Sequence, residues 1–201
     1  MTTTEAQKAV TSPVGEYYLR GVMETASGFK LDSDSTFEFF YSYGALDRMG
    51  QGKWTVDGNN VVLDSREKPA QDFALIRSAK TENGDITIKI IDSNTIFLRS
   101  VYCVLTGEGK TQEAMADDEG KINFKAQAID TIKLVFEFCQ EKASVFTIAT
   151  KDHNEFEFRF EPWMVEVFFK DFRLKREEKK LTGPHPLLRG DLFNYEKAGR
   201  E

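Results

Sequence analysis

Along most of this chain hydrophobic and polar residues alternate one for one. The cleanest case is 155–161, EFEFRFE, where Phe156, Phe158 and Phe160 share one side and Glu155, Glu157, Arg159 and Glu161 the other. A period of two marks a strand with one dry and one wet face, the pattern of an antiparallel sheet. It recurs at Ile86, Ile88 and Ile90, at Val101, Cys103 and Leu105, and at Ile132, Leu134, Phe136 and Phe138. Turn-forming runs separate these stretches, among them Asp57-Gly58-Asn59-Asn60 and Asn83-Gly84-Asp85. Glycine there takes a positive φ without a Cβ clash, which suits a hairpin. Short strands with a turn every ten or so residues predict an all-β protein, a barrel or a sandwich, with little helix.

The pattern divides the chain. Residues 1–14 are small and polar and are expected to form a disordered tail. Residues 15–64 carry five strands, at 16–24, 28–31, 36–43, 51–56 and 60–64. The charged stretch 65–83, with Pro69, reads as a connection, and 84–152 as a second β unit. Residues 155–198 are β again. Five strands close poorly, whereas about eight fill a barrel. The last segment is therefore expected to complete the first unit, with 165–196 hydrogen-bonded to strands of 15–64. Within it the dry face moves from Val165, Val167 and Phe169 to Phe172 and Leu174, which calls for a bulge or tight bend near Lys170-Asp171. LKREEKKLTG (174–183) has too few apolar positions for a helix face and reads as a hairpin with a charged tip.

Composition narrows the function classes. The 201 residues carry a formal charge of -6, which argues against nucleic acid as the main partner because phosphate binding needs a basic surface. The opening MTTTEAQKAV lacks the charged and apolar regions of a signal peptide, and no run of about 18 apolar residues spans a membrane. A soluble, cytoplasmic protein is expected, with a periplasmic location left open. Cys103 and Cys139 both lie in apolar runs, as buried free thiols do.

Two resemblances follow from particular residues. Gly15, Tyr17, Gly44, Gly52 and Trp54, set among short strands over about fifty residues, resemble bacterial proteins with a lipocalin-like up-and-down meander. That resemblance implies a barrel whose mouth takes a small molecule, and it carries no catalytic motif. In 84–152, Asp117, Gly120 and Phe124 stand where a carboxypeptidase-regulatory or transthyretin-like sandwich has its Asp-x-x-Gly-x-x-x-Phe turn and strand. The stretch DSNTIFLRSVYCVL departs from that family, which has a Gly-Pro type turn before its second strand. Such sandwiches are mostly structural or interaction modules.

No catalytic signature stands out. His153 lies in a polar turn and His185 between two prolines, neither with a second histidine or a cysteine at metal spacing. Glu24, Asp47, Glu155, Glu157 and Glu161 could be paired for acid–base work, but alternating glutamates are normally the wet face of a strand. The acidic turns 32–35 and 117–120 lack a full calcium loop. No metal or cofactor is expected.

The aromatic set is the constellation that remains. Alternation puts Phe37, Phe39, Tyr41 and Tyr43 on one face of FEFFYSYGALD (37–47) and Phe40 on the other. Tyr17 opens the first strand and Trp54 lies in the fourth. Tyrosine and tryptophan bring polar tips that a dry core does not need. Tyr17, Phe39, Tyr41, Tyr43 and Trp54 are thus the candidate site for a small apolar or aromatic ligand. The alternatives are a filled barrel and a protein-binding surface on the sandwich or a strand edge; a carboxylate or histidine hydrolase has the weakest support.

Overall fold

The period-two runs become strands in the computed structural model, which describes residues 12–44 and 46–199. The disordered tail expected at 1–14 lies mostly outside the described residues, as does Ala45 in the turn after Tyr43. The fold is all-β and divides into two units. The described residues up to Lys68, with those from Glu166 onward, form one; Pro69–Val165 form the other.

The first unit is a closed antiparallel barrel of eight strands. Five come early: β1 (Gly15–Arg20), β2 (Thr25–Leu31), β3 (Thr36–Tyr43), β4 (Leu46–Asp57) and β5 (Asn60–Asp64). Numbering in chain order, the other three are β14 (Phe172–Arg176), β15 (Lys180–Gly183) and β16 (Phe193–Lys197). Around the wall the order is β1-β16-β15-β14-β5-β4-β3-β2. The late strands pair with the early ones as the pattern required: Phe172 faces Leu63, and Tyr17 faces Lys197. Closure removes the open edges that five strands alone would leave. Several strand bounds differ from the reading, and β2 begins at Thr25 rather than 28. β1 stops at Arg20 because Gly21 and Glu24 take φ of 78° and 56°. β4 begins five residues earlier than expected, at Leu46 rather than 51, because Arg48 and Gly50 also face inward.

Inside the barrel, Phe29, Phe37, Phe39, Val61, Leu63, Leu174, Leu181 and Tyr195 are fully buried. Phe169 joins them from the segment before β14. Its ring centroid lies 5.2 Å from Phe37, 5.3 Å from Phe39 and 5.2 Å from Phe172. Phe29 lies 5.0 Å from Phe39 and 5.1 Å from Tyr195. Gly50 makes room: a Cβ there would fall 2.6 Å from Phe169 Cε2 and 2.7 Å from the Val167 carbonyl oxygen. The bend that shifts the dry face is at Asp171, whose φ is 47° and whose N–H donates to Asp64 Oδ1 over 2.7 Å.

The second unit is a sandwich. Its strands are β6 (Phe73–Ala79), β7 (Ile86–Ile91), β8 (Val101–Gly107), β9 (Lys110–Met115), β10 (Lys121–Phe124), β11 (Thr131–Phe136), β12 (Ala143–Thr147) and β13 (Glu155–Phe160). They form sheets ordered β10-β7-β13-β6 and β12-β11-β8-β9. One apolar core joins Ile88, Ile90, Phe156 and Phe158 of the first sheet to Val101, Cys103, Ile132 and Leu134 of the second.

Three expectations are corrected here. The stretch 65–83 is not merely a connection, since it holds β6. That strand's run FALIRSA hides its period because it is an edge strand with a register shift opposite Glu157 and Phe158. Residues 155–160 do not go to the barrel: β13 pairs with β6 and, in parallel, with β7. Its alternation would suit either unit, so the pattern alone could not choose. Phe138 leaves the buried face of its run because the chain turns into a 3₁₀ helix at Glu137–Cys139.

Both cysteines are buried thiols outside any disulfide, and burial pushes the Cys103 thiol up to about 12. A thiolate is the reactive form. Neither cysteine is therefore expected to react with a disulfide reagent in the native protein, and two equivalents should appear in denaturant. Fewer than two would mean a bridge forms in solution.

Candidate functional site

Of the five residues singled out as a ligand site, Tyr17, Phe39, Tyr41 and Trp54 belong to or pack against one barrel core, but they are spread along it and do not surround one space. Tyr17 is buried and its hydroxyl donates to the Pro13 carbonyl over 2.7 Å. Phe39 is part of the packed barrel core. Trp54 is half-buried at the end of the barrel where β3 begins, and its Nε1–H donates to the Asp32 carbonyl over 3.0 Å. Tyr41 and Tyr43 lie at the opposite end of the β3–β4 hairpin, facing Arg48 and Leu46. Six residues of strand separate Arg48 from Trp54, roughly 20 Å at the rise of a β-strand. Tyr43 was expected on the inward face. It is 54 % exposed, because the strand ends there and the chain turns out of the wall.

The barrel end beside Tyr41 holds most of the unit's buried polar chemistry. His185, read from the sequence as a loop histidine between two prolines, does lie outside the strands and is buried there among Phe39, Tyr41, Phe193 and Tyr195. Its Nδ1 accepts hydrogen bonds from the backbone N–H groups of Leu187 and Leu188, at 3.0 and 3.1 Å. The ring's proton is therefore assigned to Nε2, which donates to Ser27 Oγ over 3.0 Å; Ser27 in turn donates to the Phe40 carbonyl over 2.8 Å. Burial lowers the histidine pKa to about 4.

This wiring decides what the pair can do. A Ser–His pair at 3.0 Å has the spacing of a nucleophile and its base. Here the histidine nitrogen facing the serine is a donor and the serine proton points at a carbonyl, so the base has no lone pair for the hydroxyl. The arrangement caps the barrel. Arg48 is buried beside it, and burial is the main reason the Tyr41 phenol lies above its ordinary value, against the pull of that cation.

Of the carboxylates singled out from the sequence, Glu155 and Glu157 form an engaged wet face on β13. Glu155 and Glu157 both hold Arg77, at 2.5 and 3.1 Å, and Arg77 depresses the Glu157 carboxyl. The buried ion pair Lys142–Asp72, at 3.4 Å, links β6 to β12 across the sandwich: the Asp72 N–H donates to Ser144 Oγ, and Lys142 Nζ to the Trp163 carbonyl.

The feature that alternation did not single out is on the outside of the barrel. Strand register sets Tyr18 opposite Gly28, Gly28 opposite Phe40, and Phe40 opposite Met49. One row across β1, β2, β3 and β4 thus carries three large apolar side chains around a glycine. Tyr18 is 36 %, Phe40 38 % and Met49 65 % exposed. A Cβ on Gly28 would fall 2.9 Å from Phe40 Cε1, so the missing side chain lets Phe40 lean across and meet Tyr18 edge-to-face at 6.0 Å. In the sequence Phe40 stood only as the odd residue on the wrong face. Its partners are nine or more residues away and meet it only through register.

The fold and this surface define an all-β protein whose barrel strands flank a two-sheet sandwich unit in the chain. No helix among the described residues is long and apolar enough to cross a membrane. Comparison with known proteins finds no matching family model, no matching curated protein and no matching solved structure.

Proposed function

We propose that this protein is a non-enzymatic interaction module whose barrel is a solid scaffold, not a container, and whose outer wall binds a protein. The observation that carries the reading is the row Tyr18–Gly28–Phe40–Met49. Protein interfaces concentrate aromatic residues and methionine at their centre and keep charge at the rim. Here Glu16, Lys30, Glu38 and Gln51 border the row on one side, and Arg20 and Asp47 on the other. The aromatic packing of the interior supports the scaffold half of the reading. So does the histidine cap, whose nitrogens are all engaged. The lipocalin-like resemblance then concerns the wall and not a ligand inside it.

Oxidative footprinting in cells that express the protein tests this. Met23, in the β1–β2 turn, is 88 % exposed and serves as the internal reference for Met49. Met49 is expected to oxidise several-fold more slowly than Met23 in cells. Equal rates would sink the proposal. A second reading, a small apolar or aromatic ligand at the barrel end, is favoured by the half-buried Tyr41 beside buried Arg48. Native mass spectrometry would support it by showing a small molecule carried through purification.

A further inference from the structure

The outer wall has a charge pattern that fits itself. Three rows of side chains face outward across β1, β2, β3 and β4. Register gives the upper row as Glu16, Lys30, Glu38 and Gln51, and the middle row as Tyr18, Gly28, Phe40 and Met49. In the lower row Ala26, Ser42 and Asp47 are paired in register, and Arg20 lies two residues beyond Tyr18 on the same face of β1.

Consider a second copy laid face to face on this wall, related by a twofold axis running along the strands between β2 and β3. Such an axis exchanges β1 with β4 and β2 with β3. Lys30 then meets Glu38 of the second copy, and Arg20 meets Asp47. Each pair occurs twice, as an isologous interface requires. Tyr18 meets Met49, Glu16 meets Gln51, and the two Phe40 rings meet at the axis. No like charges face each other. With the axis turned to run across the strands, Glu16 would meet Arg20, but Lys30 would face Ala26, Glu38 would face Ser42, and the Lys30–Glu38 and Arg20–Asp47 complementarity would be lost. Aligned sheets cross at about −30°, which keeps rows within two residues of the axis opposite one another.

From this pattern we propose that the occupant of the barrel wall is a second copy of this chain, in a twofold dimer centred on Phe40 and oriented by Lys30–Glu38 and Arg20–Asp47. The proposal rests on the reading of the wall as a protein-binding surface. Four strands about 4.8 Å apart, over five residues of strand, give a small patch. Interfaces well under 1,200 Å² are transient ones, so the dimer is expected to dissociate below about 1 µM and to form at higher concentration.

Sedimentation velocity of the full chain, from micromolar to near-millimolar concentration, tests it. The weight-average mass is expected to rise towards that of a dimer. Phe40→Glu, a change at a partly exposed side chain whose effect on folding is checked by circular dichroism, should hold the protein monomeric. Lys30→Glu should weaken association about tenfold, since both symmetric pairs become repulsive. Mixing equal amounts of Lys30→Glu and Glu38→Lys chains should restore it as a mixed dimer, which loss of structure would not do, because Lys30 and Glu38 are also cross-strand neighbours within each chain and that pair stays repulsive. A monomer at every concentration overturns the proposal. A dimer that Phe40→Glu leaves intact also overturns it, because association would then use another surface. If the pure protein stays monomeric while Met49 is shielded in cells, the occupant is a different protein and the interaction reading survives. If Met49 is unshielded in cells and the pure protein is monomeric at every concentration, both readings fail.

Discussion

Phe169→Ala is expected to destabilise the barrel by about 3–5 kcal/mol, the range for emptying a large aromatic from a packed core. Phe169 belongs to none of the eight strands. It enters from the segment before β14 and touches rings from β2, β3 and β14, namely Phe29, Phe37, Phe39 and Phe172. Its removal leaves a void at the centre, lined by side chains that strand pairing holds apart. Trp54 lies in the barrel and Trp163 in the other unit. In a Trp163→Phe background, urea unfolding followed by fluorescence therefore reports the barrel alone. Gly50→Ala is the companion change. It crowds Phe169 Cε2 and the Val167 carbonyl and should cost about 1–3 kcal/mol. It should cost less when Phe169 is already alanine, because one of the two obstructions is then gone. If Phe169→Ala costs no more than about 0.5 kcal/mol, as a surface change would, the barrel is not filled in solution as described.

The second large effect depends on pH. His185 has a pKa of about 4 in the folded protein, against about 6.5 in an unfolded chain. Between those values the unfolded chain binds a proton that the folded chain refuses. Stability therefore rises with pH through this window. The contribution is complete above about pH 6.5, and about 3 kcal/mol of it is lost as pH falls to 4. The geometry gives the reason. Protonating Nδ1 would break two backbone hydrogen bonds and place a cation among Phe39, Tyr41, Phe193 and Tyr195. Asparagine keeps an acceptor for the Leu187 and Leu188 N–H groups and cannot titrate. The difference in unfolding free energy between the wild type and His185→Asn should thus shrink steadily from pH 6.5 to 4. Parallel curves would show that His185 is not buried neutral.

The strands were largely legible because alternation is a local property. Phe156 and Phe158, Ile88 and Ile90, and Phe37 and Phe39 are buried as their period demanded. So was the bend at Asp171, because a face cannot change sides without one. The candidate site was legible only as a set of residue types. Tyr41 and Trp54 were grouped because both sit in neighbouring strands with polar tips. Antiparallel pairing then placed them at opposite ends of one hairpin, a separation set by register and not by composition. His185 was legible as a loop histidine but its burial was not: flanking prolines mark a loop, and nothing nearby in the chain announces that Ser27 waits 158 residues away.

What the sequence determined by itself was the all-β class, the inward and outward faces of most strands, and the need for late strands to complete an early set. These follow from side-chain periodicity and turn chemistry, which act over a few residues. Only the tertiary structure decided that β13 joins the sandwich, that His185 is buried in the barrel, that Phe169 packs among the rings of β2, β3 and β14, and that Tyr18, Phe40 and Met49 form one row around Gly28. Those are facts of pairing register between distant segments. Register is fixed when whole faces are buried together, so no local stretch of the chain carries it.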